Sequence, residues 1–252
     1  MLMLISPAKS LDFENPAPVS KTTRPRFEDE ANYLASVLKT KSPDELQSLM
    51  NISSQLAELN HERYQLWLDK PVPKRSKQAL PAFTGEVFRG IDASSFSAAD
   101  FDFAQKHLRI LSGLYGVLRP LDSIQPYRLE MGTKMQVDEH KNLYEFWGDD
   151  LTESINKELK KKDVIVNLAS NEYFKSLNKK ALKAPVITPV FKDYNKGSLK
   201  VVTVYAKNAR GQMVRYITKN RITDIEQIKH FDVNGYAYDD NLSDDKRWVF
   251  VR

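Results

Sequence analysis

The stretch Ser112–Gly132, SGLYGVLRPLDSIQPYRLEMG, holds three of the chain's nine glycines and sets Tyr115, Arg119, Tyr127, Arg128 and Glu130 among them. Glycine suits a backbone that must take a positive φ or approach a partner closely, and Pro120 and Pro126 stop a helix from running through. The stretch therefore reads as a shaped loop carrying a site, the plainer alternative being two turns between core elements.

Outward from this loop the chain alternates helical and strand signals. MLMLIS at the start is a short apolar run suited to a buried strand, and residues 11–26 are proline-rich and irregular. Helical spacing follows at 28–40, 43–50 and 53–68, the second with Ser42 as N-cap, Pro43 in the first turn and Glu45 completing a capping box. The region up to residue 110 reads as mostly helical, with one helix over 98–107 capped by Ser97. Beyond the loop, Tyr144–Lys162 has helical spacing and ends in three lysines, which suits the negative end of a helix dipole. Asp163–Leu168 reads as a buried strand. Further strands are expected near 185–191 and 199–206, a helix over 207–221, a short helix started by Thr223, and closing strands near 235–239 and 247–251. With no repeat or linker, this predicts one α+β domain over residues 1–252, a central sheet surrounded by helices.

At 252 residues and 41% hydrophobic content the chain can bury a sizeable core. The absence of cysteine excludes disulfides, thiolate zinc sites and cysteine-ligated iron–sulfur clusters. The apolar start is too short for a membrane span or a secretory signal, so a cytoplasmic protein with no membrane partner is expected. Net charge is +5, and it is concentrated: from Lys192 to Ile222 eight basic residues face one acid, Asp193, while the remainder of the chain is slightly acidic. Such a segment is either a solvated face or a binding surface for anions.

Four constellations carry possible chemistry. Leu111-Ser112-Gly113-Leu114, after helical spacing, resembles a helix-hairpin-helix element, whose glycines present backbone N–H groups to phosphates. Its glycines Gly113 and Gly116 lie three apart where that motif sets them two apart. Ala206–Tyr216, AKNARGQMVRY, places Lys207, Arg210 and Gln212 near the expected start of a helix, where dipole and side chains both attract anions; Gly211 implies close approach by another backbone or a ligand. Asn167–Phe174, NLASNEYF, follows a strand, with Asn167 and Tyr173 as candidates for lining a cleft and Ser170 as a helix cap. Ser6-x-x-Lys9 has the spacing of a serine–lysine hydrolase but lacks that class's companion motifs, so Lys9 reads as a cation at a strand end. Glu58-x-x-His61 occurs once, against the paired occurrence of di-iron bundles, and neither a Walker loop nor a dinucleotide fingerprint is present. No cofactor and no metal site is expected.

Five segments, LISPAKSLDF, FDFAQKHLRILSGLYGVLRPLDSIQPYRLEMG, LYEFWGDDL, NLASNEYFK and AKNARGQMVRY, occur in an order that resembles the YaaA family of bacterial peroxide stress proteins over essentially the whole chain. The resemblance implies a mixed α/β fold with a helix-hairpin-helix-like element, a positively charged cleft and a cytoplasmic DNA-binding protein that lowers free intracellular iron and so limits Fenton damage. Carried onto this sequence, it implies a cleft of Lys9, Arg119, Arg128, Lys207, Arg210 and Arg215 and a hairpin of Ser112, Gly113, Tyr115 and Gly116. Double-stranded or locally opened DNA is the expected partner, with no evident protein partner. The rival reading is an enzyme acting on a nucleotide or nucleic-acid base, with Glu130 as acid or base and Arg128, Asn167 and Tyr173 around it. A third, iron sequestration, would rest on His61.

Overall fold

In the computed structural model, which describes residues 1–195 and 197–252, the core is an eight-stranded mixed sheet. Its strands are β1 (Leu2–Ile5), β2 (Leu108–Ser112), β3 (Gly116–Leu118), β4 (Ile165–Asn167), β5 (Val186–Asn195), β6 (Ser198–Lys200), β7 (Ala237–Asp239) and β8 (Arg247–Val251). The order is β7-β8-β5-β4-β1-β2-β3, with β6 paired to β5. Pairings β1–β2, β1–β4, β4–β5 and β5–β8 are parallel. Strands buried on both faces need continuous apolar runs, which is why LMLI, LRILS and IVN carry no alternation and are buried throughout. The longer β5 does alternate, with Ile187, Phe191 and Asp193 buried.

Around the sheet lie α1 (Glu28–Lys39), α2 (Pro43–Met50), α3 (Ser54–Gln65), α4 (Glu86–Ile91), α5 (Ala98–His107), α6 (Leu143–Trp147), α7 (Asp150–Asn156) and α8 (Thr203–Lys219), with shorter turns between. The expected capping box of α2 is present, Ser42 Oγ accepting from Glu45 N and Glu45 from Ser42 N. Ser97 and Asp100 make a second box at α5. Among the described residues no helix is long and apolar enough to cross a membrane.

The architecture corrects several local expectations. Leu108–Ser112 is a strand, and Ser112–Gly116 is the turn of an antiparallel β-hairpin, not of a helix-hairpin-helix. LRILS is short and apolar apart from Arg109 and Ser112, and hydrophobic periodicity alone does not separate such a run from buried helix. The 144–162 segment splits into α6 and α7 at Gly148, whose φ is +43°, and the lysine triplet lies beyond the end of α7. The strand expected over 199–206 stops at Lys200, and α8 begins at Thr203, a full turn earlier than expected. The turn near 223 is a 3-10 helix, Ile225–His230, capped by Asp224 accepting from Glu226 N, not by Thr223.

Two buried features fix the layers. Arg109 in β2 is 3% exposed, and its guanidinium is taken up by both oxygens of Glu158, by Gln105 O at 2.9 Å and by Leu108 O. Arg26 also donates to Glu158, at 2.5 Å. The second feature is the crossing of α4 and α8 at Gly90 and Gly211. A Cβ on Gly211 would lie 1.9 Å from Val87 O, and one on Gly90 would lie 2.2 Å from Asn208 O. Gly211 thus serves close approach by another helix.

That contact predicts that Gly211→Ala destabilises the fold by about 3 kcal/mol, because neither backbone can move far without dislodging a helix. Gly235→Ala, where φ is +79° and only the Arg252 side chain is near, should cost about 1 kcal/mol. Urea unfolding of both variants checks this, and equal midpoints would remove the crossing as the tighter constraint. The Glu158 group gives a pH prediction. Burial would raise its carboxyl, but hydrogen bonds from Arg109 and Arg26 outweigh this and lower it to about 2. A carboxyl lowered on folding stabilises above its unfolded value and loses that contribution as pH falls through the folded one. Glu158→Gln should therefore cost about 3 kcal/mol at pH 7, and the difference from wild type should shrink steadily from the ordinary carboxyl range down to about pH 2. A penalty independent of pH would mean that the ion pair is not its source.

Candidate anion-binding cleft

A cleft of about 490 Å³ opens at the carboxyl ends of β1 and β4. The chain leaves β1 for β2 on one side and later returns to β4 on the other, so the cleft sits at a topological switch point, where open α/β sheets commonly bind ligands. The parallel register brings Leu4 beside Asn167, which sets the residues just past the two strands against each other. Ser6 Oγ accepts from Ser170 N at 2.8 Å and contacts Ser170 Oγ at 3.2 Å. Ser170 occupies the first position of a helical turn, but its hydroxyl meets Ser6 instead of capping that turn. Asn167 is buried behind the cleft, accepting from Ala169 N, while Tyr173 lines it.

Four of the six expected cations converge here: Lys9, Arg128, Lys207 and Arg210 all line the cleft. Lys207 and Arg210, three apart on α8, share a face. They stand in its second and third turns, so the helix dipole adds little and the side chains supply the charge. Arg210 is half-buried without a carboxylate partner among the described residues, and burial lowers its guanidinium below the ordinary arginine value. On the opposite wall Glu130 accepts from Lys9 Nζ at 2.8 Å and from Arg128 Nη2 at 3.0 Å. Arg128 Nε is buried with no hydrogen-bond partner among the described residues. Tyr127, Phe88 and Leu168 give the cleft apolar wall, and Glu86 and Glu172 stand at its edge, the first paired with Arg89 and the second accepting from Gly132 N.

The other two cations lie elsewhere. Arg119 is committed to Asp122, which is fully buried, and to Arg24 O. Arg215, five residues past Arg210 and so rotated by roughly 140° around the helix, packs on the end of α4 against Asp92, Ile91 O and Ser95.

The glycine hairpin does not reach the cleft surface either. Ser112, Gly113, Tyr115 and Gly116 are all buried. A Cβ on Gly113 would stand 2.4 Å from Leu129 O, and Gly113 O accepts from Trp147 Nε1 at 3.0 Å. Ser112 Oγ and Tyr127 Oη share a buried hydrogen bond of 2.6 Å, and Tyr115 Oη accepts from Gln125 N. Gly113 is small because residues 129–131 pack on it and Gly116 because Trp147 and Leu151 do, so both lie against protein and not against a phosphate. Indirectly the hairpin still matters, since it holds Tyr127–Glu130 in place as one wall of the cleft.

Ser6, weighed in the sequence only as half of a Ser-x-x-Lys pair, lines the cleft, as do Glu86, Phe88 and Glu172, which the sequence did not single out. The signal at Ser6 was positional, a hydroxyl at the carboxyl end of a buried strand beside Lys9. A wider groove of about 860 Å³ runs past Asn15, Lys74 and Ser123, but its Arg24 and Lys77 are already paired with Glu28, Asp29 and Asp12. For metal, the donors are scattered: among the described residues no group of three or more His, Asp or Glu is placed to hold an ion. His61 rests its Nδ1 against Lys41 O at 3.0 Å.

Comparison with known proteins identifies the chain's relatives. The family model described as "Peroxide stress protein YaaA" matches residues 1–242. A "UPF0246 protein" of Teredinibacter turnerae is 53% identical over all of this chain and 99% of its own length. Similar proteins of Hahella chejuensis and Ralstonia pickettii are each 52% identical, with all of this chain and 99% of the relative aligned. The chain belongs to the YaaA family of peroxide stress proteins.

Proposed function

We propose that this protein serves peroxide resistance by binding DNA, with the phosphates of a locally opened strand entering the cleft between Lys207–Arg210 and Lys9–Arg128. The observation that carries this reading is Arg210, a half-buried guanidinium facing the cleft with no acid to neutralise it among the described residues. A desolvated cation without a counter-ion is costly in the free protein and favours an anion that supplies one. The cleft volume suits a nucleotide, and a duplex is too wide to enter it. An opened or unpaired segment meets both conditions, whereas a buried hairpin leaves no conventional helix-hairpin-helix contact with duplex DNA.

The enzyme reading keeps Glu130 inside the cleft, but each of its oxygens is engaged by a cation. For the lowered free iron implied by the family resemblance, no group of three or more His, Asp or Glu among the described residues offers a metal site.

Binding to an oligonucleotide with an unpaired segment should be steeply salt-dependent, each phosphate contact adding roughly 0.9 to the slope of log K against log salt on duplex and 0.7 on single strands. Arg210→Ala should lower the slope by about one unit and weaken binding about tenfold. Arg215→Ala, which acts on the far side of α8, should leave both unchanged. Fluorescence anisotropy across a salt series checks the pair, and equal effects of the two variants would sink the cleft as the site.

A further inference from the structure

We infer that Lys9 and Arg128 form a second phosphate subsite, opposite Lys207 and Arg210, which Glu130 occupies in the free protein as an internal substitute for the ligand. This rests on the cleft being an anion site, and it concerns which wall takes a further phosphate and what keeps that wall closed.

The geometry at Arg128 points to a replaceable partner. A guanidinium offers Nε and Nη as a side-on fork that matches two oxygens of one oxyanion. Glu130 takes only Nη2, at 3.0 Å, and turns its other oxygen to Lys9 at 2.8 Å. Nε is left buried and unpartnered. Buried donors in folded proteins are nearly always satisfied, so an orphan at the edge of a cleft marks a place where a ligand atom belongs. The two non-bridging oxygens of a phosphodiester can take Nε and Nη2 side-on, with one of them shared by the Lys9 ammonium. Glu130 does not make that arrangement, because it sets one oxygen on Nη2 and the other on Lys9.

The surroundings allow the exchange. Lys9 is 63% exposed and free to follow an incoming anion. Glu130, with Lys9 and Arg128, also borders a neighbouring hollow of about 550 Å³ beside Met50 and Lys134. A displaced Glu130 side chain therefore has a solvated space to enter, with a lysine at its rim. While Glu130 stays, it halves the positive charge that Lys9 and Arg128 present, so a lone small anion is bound weakly. A strand whose neighbouring phosphate is already held by Lys207 and Arg210 brings its next phosphate at high effective concentration and displaces the carboxylate.

The test uses the full chain with two probes, thymidine 5′-monophosphate and a ten-residue oligothymidylate. Glu130→Gln should bind the oligonucleotide about tenfold more tightly, by removing a like charge from the phosphate's place, and raise the salt slope by up to about one unit. Arg128→Lys keeps the charge but loses the fork, and should weaken oligonucleotide binding about tenfold. Lys9→Gln, at an exposed position that leaves the fold intact, should weaken it several-fold. If Glu130→Gln binds no more tightly than wild type, or Arg128→Lys matches wild type, the substitute-ligand subsite is overturned while DNA binding stands. If wild type binds the mononucleotide with these same responses but ignores the oligonucleotide, the subsite stands and the DNA reading fails. Binding of neither probe overturns both.

Discussion

The contact on which the site depends is the crossing of α4 and α8 at Gly90 and Gly211. Backbone touches backbone there, with Gly211 against Val87 O and Gly90 against Asn208 O, so the two helices have almost no freedom to slide or separate. The residues on either side of that crossing are cleft residues: Glu86, Val87 and Phe88 from α4, Lys207 and Arg210 from α8. A protein interior packed at crystal-like density transmits such a constraint without slack. The C-terminal end of α8 is held as well, since Lys219 donates to Asp100 at 2.7 Å and Arg221, just past the helix, pairs with the same carboxylate. Asp100 is also the capping-box residue of α5, and these hydrogen bonds outweigh the effect of burial to hold its carboxyl well below the usual range. One buried acid thus locks two helices, and two of the four cleft cations, Lys207 and Arg210, stand on a rigid rod.

This division explains why the basic segment from Lys192 to Ile222 is a poor guide to a surface. Its charge is used in two different ways. Arg215, Lys219 and Arg221 are structural, spent on Asp92 and Asp100. Lys207 and Arg210, on another face of the same helix, meet no acid among the described residues. Charge counts along a sequence add these together, because helical phase decides which partner a side chain meets and a sum has no phase.

Much of the fold was legible where local chemistry acts alone. The capping box at Ser42, the N-cap at Ser97 and the apolar run at the N-terminus each depend on residues within a turn or a strand of one another. The glycine-rich stretch was misread for the opposite reason. Gly113 is glycine because residues 129–131 lie on it, and Gly116 because Trp147 and Leu151 do, with φ at +63°. Those partners are 16 to 35 positions away, and nothing in the hairpin's own sequence distinguishes a glycine that admits a phosphate from one that admits a tryptophan. Of the six cations that the family resemblance implied, Lys9, Arg128, Lys207 and Arg210 line one cleft. Arg119 failed for want of seeing Asp122, an acid three residues away that is wholly buried.

The two arginines of the cleft represent two solutions to the same electrostatic problem. A cation facing a partly dehydrated space destabilises the free protein unless something offsets it. Arg128 is offset by Glu130, at the expense of an unsatisfied Nε, while Arg210 is offset by nothing in the fold. In the proposed reading the offset is supplied by a bound anion. A fold selected for stability alone would place an acid beside Arg210, as it does beside Arg109 with Glu158 and beside Arg119 with Asp122. The contrast lies within one chain: Arg109 and Arg119, away from the cleft, are held by Glu158 and Asp122, whereas Arg128 and Arg210 in it are paired partly or with no acid among the described residues. Arg63, half-buried outside the cleft with Asn60 as its partner, shows that partial pairing alone does not mark a site, so the proposed anion site rests on the convergence of four cations on one cleft.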